Sequence, residues 1–191
     1  MEALALPYGA AITEVVRNEV IKPEVFEGIF EAHYNRVYNF CAYRINDHHE
    51  TEDLVSMVFE KVIMKYGTYR PLNVPLEAWI ITIAKNVVND YFRQKKKKAY
   101  VPFEFINKDA AASPVSGQPE EIFMTNENNA ALKRALNVLT DKERTIVAMK
   151  FAASLKNVDI ASIMSLSETN VGAIIHRSLK KMRQVLEGDL L

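Results

Sequence analysis

The sequence predicts an all-α fold, built as two small helical domains joined by a flexible linker. Three observations lead there. Apolar residues recur three or four positions apart in every long segment, no Asn-Gly or Asp-Gly hairpin signal occurs, and one Pro- and Ser-rich stretch interrupts the pattern.

The elements follow in order. Residues 1–23 hold Val15, Val16, Val20 and Ile21, enough for a short helix whose role is not readable. Phe26, Phe30, His33, Val37 and Phe40 or Cys41 make the stripe of a first helix. Val55, Val58, Phe59, Val62, Ile63 and Tyr66 make a second, and Trp79, Ile83, Val87 and Tyr91 a third. Three such stripes cover one another, so residues 24–98 form a compact bundle. In residues 99–120 the periodicity stops, and Pro102, Ser113, Pro114, Ser116, Gly117 and Pro119 mark a linker. Residues 121–191 are helical again. Ala131, Leu132, Ala135, Leu136 and Leu139 form one stripe, and Thr140 with Glu143 forms a capping box that starts the next helix.

The 191 residues and 49% hydrophobic content suffice for packed cores, and a single cysteine, Cys41, excludes a disulfide framework or a cysteine-based zinc cluster. No apolar run approaches the roughly 18 to 20 residues of a membrane span, and the first 18 residues lack the pattern of a signal peptide. The expectation is a cytoplasmic protein without membrane insertion.

Net charge is zero but regionally sorted. Residues 24–66 carry four basic and eight acidic side chains, whereas residues 67–98 carry seven basic and two acidic ones. Adjacent acidic and basic blocks predict two surfaces, one for a basic or polar partner and one for a polyanion. Catalysis finds no support: His48 and His49 point about 100° apart on a helix, His33 and His176 are isolated, and phosphate-loop, HExxH and nucleophile-elbow motifs are absent. No metal, cofactor or enzymatic activity is expected.

Two stretches point to nucleic acid. From Leu155 to Val171 a short helix, with Ile160, Ala161 and Met164 inward, meets a three-residue break. Leu166 plugs that turn, and Ser167 caps a helix whose apolar side is Val171, Ile174, Ile175, Leu179 and Met182. This is a helix-turn-helix pattern, also met in bundles that never touch DNA. Elsewhere, the loop Gly67–Pro75 with Tyr66, Tyr69 and Trp79 precedes a helix ending in Arg93 and four lysines, Lys95 to Lys98. Rings beside cations suit single-stranded nucleic acid, although Trp79 also fits a core stripe and terminal lysines also complement a helix dipole.

Glu52-Asp53-Leu54-Val55 with Phe59, Glu77-Ala78-Trp79-Ile80 with Ile83-Ala84-Lys85-Asn86, and Asp90-Tyr91-Phe92-Arg93, followed by the helix-turn-helix, resemble bacterial extracytoplasmic-function sigma factors of RNA polymerase, in the sigma-70 family. The resemblance implies a region 2 bundle, a region 4 helix-turn-helix, a linker threaded through the enzyme, and promoter recognition with DNA melting. It implies that Glu52, Asp53, Val55 and Phe59 meet a coiled coil of the polymerase β′ subunit, with the β subunit a further partner. For the minus-ten element it points to Tyr69, Arg70, Asn73, Lys85, Asn86, Asn89, Arg93, Lys95 and Lys96. For the minus-thirty-five element it points to Ser167, Thr169, Asn170, Ala173, His176, Arg177 and Lys180. An anti-sigma factor is a possible partner.

The chain departs from the family pattern at Ser56 and Met57, where a Gln and an acid are usual, and at Gly172 and Ile174, where Lys and Arg are usual. Weak or unusual upstream recognition is the expected result. Two other readings remain at this point: a sigma-like adaptor that no longer reads DNA, and a stand-alone helix-turn-helix regulator.

Overall fold

A computed structural model of the chain describes residues 21–45, 47–72, 74–99 and 126–188. The extension 1–23 (apart from its last three residues), nearly all of the linker 99–120, and Asn73 lie outside the described residues. Among those described, regular structure is helical: α1 (Pro23–Ile45), α2 (His48–Lys65), α3 (Leu76–Ala99), α4 (Asn126–Asn137), α5 (Asp141–Val147), α6 (Asn157–Met164) and α7 (Glu168–Gly188). A 3-10 turn, Tyr66–Thr68, follows α2, and a π-helical turn, Ala148–Ala152, follows α5.

Local chemistry fixes the helix starts. Pro23 opens α1, where its missing N–H costs nothing. The Asp47 carboxylate caps α2 by accepting from the Glu50 N–H at 2.9 Å. Thr140 and Glu143 form the expected reciprocal capping box at α5. Arg144 then satisfies the end of α4, donating from Nε to the Leu136 carbonyl at 3.0 Å.

The first three helices form the expected bundle, with register adjustments. Ile29 is buried in α1 while Phe30 lies on the flank, and Ile63 of α2 is exposed. The buried seam of α1 runs through Ile29, Val37, Phe40, Cys41 and Arg44 and ends on a charged residue. Burial pushes the Cys41 thiol up to about 12, so it acts as a small apolar filler.

In the second half, Ala135 and Leu136 of α4, Leu139 after it, Val147 of α5 and Met182 of α7 form one small buried cluster. Ser178 is buried in α7, whereas Leu179 is exposed, because the inward set at 171, 174, 175, 178 and 182 leaves position 179 about 100° away from 178. The halves also touch, which the sequence did not reveal. Ile146, Met149, Leu155 and Ile160 belong to the same buried apolar cluster as Val37, Phe40, Val58 and Ile80, and the π-helical turn lies against α1. Among the described residues no single helix is long and apolar enough to cross a membrane.

Candidate nucleic-acid interface

The loop before α3 is a braced rim. Tyr69 Oη donates to the Val74 carbonyl at 3.1 Å, and its ring lies 5.2 Å from Trp79 and 6.4 Å from Tyr66. Burial, then the Glu77 carboxylate and Tyr66, raise the Tyr69 pKa, keeping the hydroxyl a donor. Arg70 Nη1 donates to the Gly67 carbonyl at 2.9 Å. Both predicted residues thus hold the loop's shape. Leu72, which sequence reasoning did not single out, stands at the tip fully exposed at 100%.

Helix α3 spreads the other candidates over different faces. Lys85, Asn89, Arg93 and Lys96 line a cleft of about 590 Å³ whose opposite wall is α5 and α6. There, Lys85 Nζ donates to the Ile163 carbonyl at 3.1 Å, and Arg93 pairs with Asp90 at 3.0 Å. Asn86 and Asn89 line a groove of about 430 Å³ together with Lys61 and Lys65 of α2, two cations that the motif comparison passed over.

Lys95 turns elsewhere. Its Nζ donates to Tyr91 Oη at 2.7 Å and reaches Glu50 at 3.3 Å, while Tyr91 Oη donates to Glu50. These hydrogen bonds, Tyr91 first and then Glu50, hold the Lys95 pKa above its usual value. Lys95 is therefore a tie between α3 and α2, whereas Lys96 and Lys97 are exposed with no partner among the described residues. The rim and the free lysines sit at opposite ends of α3, about 25 Å apart at 1.5 Å per residue.

In the second half, α6 and α7 meet at 101°. The turn is made by Ser165, left-handed at φ 53°, and by the Leu166 N–H returning to the Ala161 carbonyl at 2.9 Å. Ser167 Oγ accepts from the Asn170 N–H at 3.2 Å, so this candidate is a cap. Thr169, Asn170, Ala173, His176, Arg177 and Lys180 are all exposed along one reading edge. Ile174 is buried, so this position, where the family pattern leads one to expect Arg, faces the interior. A Cβ at Gly172 would meet nothing closer than Asn157 Nδ2 at 4.0 Å. Lys181 braces α7 to α5 through Glu143 at 2.7 Å, and this bond, followed by the Thr140 N–H, lowers the Glu143 carboxyl to about 2.

The acidic surface also sorts itself. Asp53 is exposed, and Glu52 is exposed with its carboxylate 3.4 Å from His48 Nε2. Val55 and Phe59 are only 2% and 3% exposed, so these two predicted polymerase contacts are core residues beneath the surface. Position 59 faces the bundle because it lies one turn beyond Val55 on the inward stripe. Met57 and Met64 instead join Asp53 and Glu60 on the outer stripe. Their spacing of seven was the available signal. Beside them, Phe30 lies 4.7 Å from Phe59 and 5.1 Å from Tyr34.

Two family models divide along these same lines: Sigma-70 region 2 matches residues 29–98, and Sigma-70 region 4 matches residues 129–182. The chain belongs to the sigma-70 family. It is an extracytoplasmic-function sigma factor, a subunit that binds core RNA polymerase and directs promoter recognition in transcription initiation. It is 25% identical over 167 residues to ECF RNA polymerase sigma factor SigX of Bacillus subtilis, covering 86% of this chain and 84% of that protein. SigW of the same organism is 23% identical, with 85% and 89% covered.

Among solved structures, the sigma factor RpoE of Bartonella quintana, in complex with the anti-sigma factor NepR, aligns with a TM-score of 0.67 at 18% identity. That alignment covers 85% of this chain and 96% of RpoE. CnrH in complex with the cytosolic domain of CnrY aligns at 0.64 and 16% identity, with 88% and 91% covered. At these identities the likeness is one of fold. Beyond the motif residues, the structure of this sigma factor brings out the buried Arg44, the exposed Leu72 and the exposed methionines of α2.

Proposed function

We propose that the three surfaces divide the work of initiation. The outer stripe of α2, with Glu52, Asp53, Met57 and Met64, docks on a basic face of the polymerase β′ coiled coil, while Val55 and Phe59 hold that stripe from beneath. Methionine side chains adapt to an uneven partner surface, and the carboxylates favour encounter with basic residues. The rim and α3 engage the minus-ten element. Leu72 supplies an apolar tip beside the Tyr69–Trp79 pair, and Asn86, Asn89, Lys96, Lys61 and Lys65 meet bases or phosphates. Capture of an extruded base offsets the few kcal/mol of unstacking, so binding alone shifts the DNA toward the open form. The edge of α7 reads the minus-thirty-five element through Thr169, Asn170, His176 and Arg177, with Lys180 at phosphate.

The observation carrying this reading is α3 itself. One helix joins a braced aromatic rim at its start to unpaired lysines at its end, a spacing suited to melting and backbone contact together. The proposed site of action is the cytoplasm. An anti-sigma protein is the regulatory partner class, by analogy with the solved relatives.

Run-off transcription with core enzyme on a promoter library tests the whole reading; co-purification with core and no transcript would leave only an adaptor. Asp53→Lys tests docking: core affinity should fall about tenfold, as expected for reversing one charge at an interface, with helicity unchanged.

A further inference from the structure

We infer that the cleft of about 590 Å³ bounded by α3 on one side and by α5 and α6 on the other is a binding site for a nucleoside triphosphate. Its volume falls within the roughly 300 to 1,000 Å³ of small-molecule sites. Its lining is divided into a cationic end and an apolar end, and a nucleotide carries the same division.

The cationic end is built on Arg44, which is only 4% exposed and yet lines the cleft. Its Nη1 donates to the Asp141 carbonyl at 2.9 Å, and this is the guanidinium's one hydrogen bond among the described residues, so its other N–H donors are unspent. The Asp141 carboxylate, 4.0 Å away and 77% exposed, is shared with solvent. Burial lowers the Arg44 pKa, Asp141 opposes that and Arg144 adds to it, so the protein leaves the buried charge incompletely compensated. A phosphate supplies what is missing, because a guanidinium meets its oxygens at two points.

Other cations gather at the same end. The Arg44 guanidinium lies 5.3 Å from the Phe92 ring centre, which sets it beside Arg93 and, through Asp141, beside Lys142. Lys96 and Lys142 are exposed and have no partner among the described residues, and Asp141 is the single acid among the described lining residues. About two turns earlier on α3, Lys85 donates to the Ile163 carbonyl at 3.1 Å, so Ile163 and Met164 mark the opposite, apolar end. A flat base fits between these side chains and Phe92, while Asn89 and Ser165 offer an amide and a hydroxyl to its edge or to the sugar. Arg44 and Lys142 belong to neither proposed set of DNA contacts. The site therefore does not depend on assigning α3 to the minus-ten element.

The test titrates the full chain with ATP, GTP and inorganic triphosphate by calorimetry at about 0.15 M salt, where attraction to distant surface charge is screened. One nucleotide should bind per chain, about tenfold more tightly than inorganic triphosphate, the worth of enclosing one flat ring. Arg44→Met and Lys142→Glu should each weaken nucleotide binding by about tenfold or more, as expected for loss of one charged hydrogen bond. Lys133→Glu makes the same charge change on the exposed face of α4, outside the cleft, and should leave nucleotide affinity unchanged. Helicity is checked for each variant, and exposed Lys142 keeps the test decisive if Arg44→Met misfolds.

Failure of both nucleotides to bind saturably would overturn the site. Equal weakening by Lys133→Glu and Lys142→Glu would reveal diffuse charge attraction and overturn it as well. Inorganic triphosphate binding as tightly as ATP and GTP would overturn the nucleoside part of the assignment.

Discussion

The two helices proposed to face DNA, α3 and α7, are similarly furnished yet offer their side chains differently. On α3, Lys85 bonds to the Ile163 carbonyl, Arg93 pairs with Asp90, and Lys95 is held by Tyr91 and Glu50. On α7, His176, Arg177 and Lys180 stand exposed without such partners among the described residues, while Lys181 is bound to Glu143. A lysine in a motif is thus a donor whose availability depends on what another helix brings to it. The first half holds three of its cations in check and leaves Lys96 and Lys97 free, whereas the second presents His176, Arg177 and Lys180 together on one exposed edge.

Four sets of substitutions break or sharpen this contrast. Trp79→Ala has the largest expected effect: loss of the ring supporting Tyr69 should cost about 3 kcal/mol of stability and abolish permanganate reactivity at the promoter, with Leu72→Ser as a milder control that spares stability. Normal melting in both would remove the rim from the mechanism.

Glu143→Gln comes next. Gln keeps the capping box, so loss of the charged brace to Lys181 should cost about 1 kcal/mol in urea unfolding. Because the folded Glu143 pKa is depressed, its stabilisation is present above about 4.5 and is lost as pH falls toward about 2. The Gln variant should therefore flatten the pH dependence within that window.

The lysines at the end of α3 give a graded prediction. Replacing Lys96 and Lys97 together by Ala should reduce the salt slope of single-strand binding by about 1.4, whereas Lys95→Ala should change it by less than about 0.7. Equal slopes for Lys95 and Lys96 would show that the tie to Glu50 opens on DNA.

Gly172→Lys has the smallest expected effect. The position has room for a side chain, so helix stability should rise by about 1 kcal/mol and the duplex salt slope should steepen by about 0.9. An unchanged slope would place position 172 away from phosphate.

Much of this was legible beforehand because it depends on local chemistry. The Thr140–Glu143 box, the Ser167 cap, the turn after Met164 and the three stripes of the first bundle all follow from propensity, capping and the 3.6-residue period. The candidate site was less legible. Val55 and Phe59 lie in the motif, but the same period that marks them also turns them inward. Tyr69 and Arg70 read as ligand-facing residues, and their hydrogen bonds to Val74 and Gly67, which brace the loop, had no signal in the sequence. Arg44 gave no signal at all, since its burial depends on Asp141, 97 residues away.

The sequence by itself therefore determined the helices, their caps and the division into acidic, basic and helix-turn-helix segments, because each of these is set within a few turns of chain. The tertiary structure decided which cations are free, which apolar residues are exposed, and that the halves share a core. Those outcomes depend on contacts between residues far apart in the chain, and the period of a single helix carries no information about what will lie across from it.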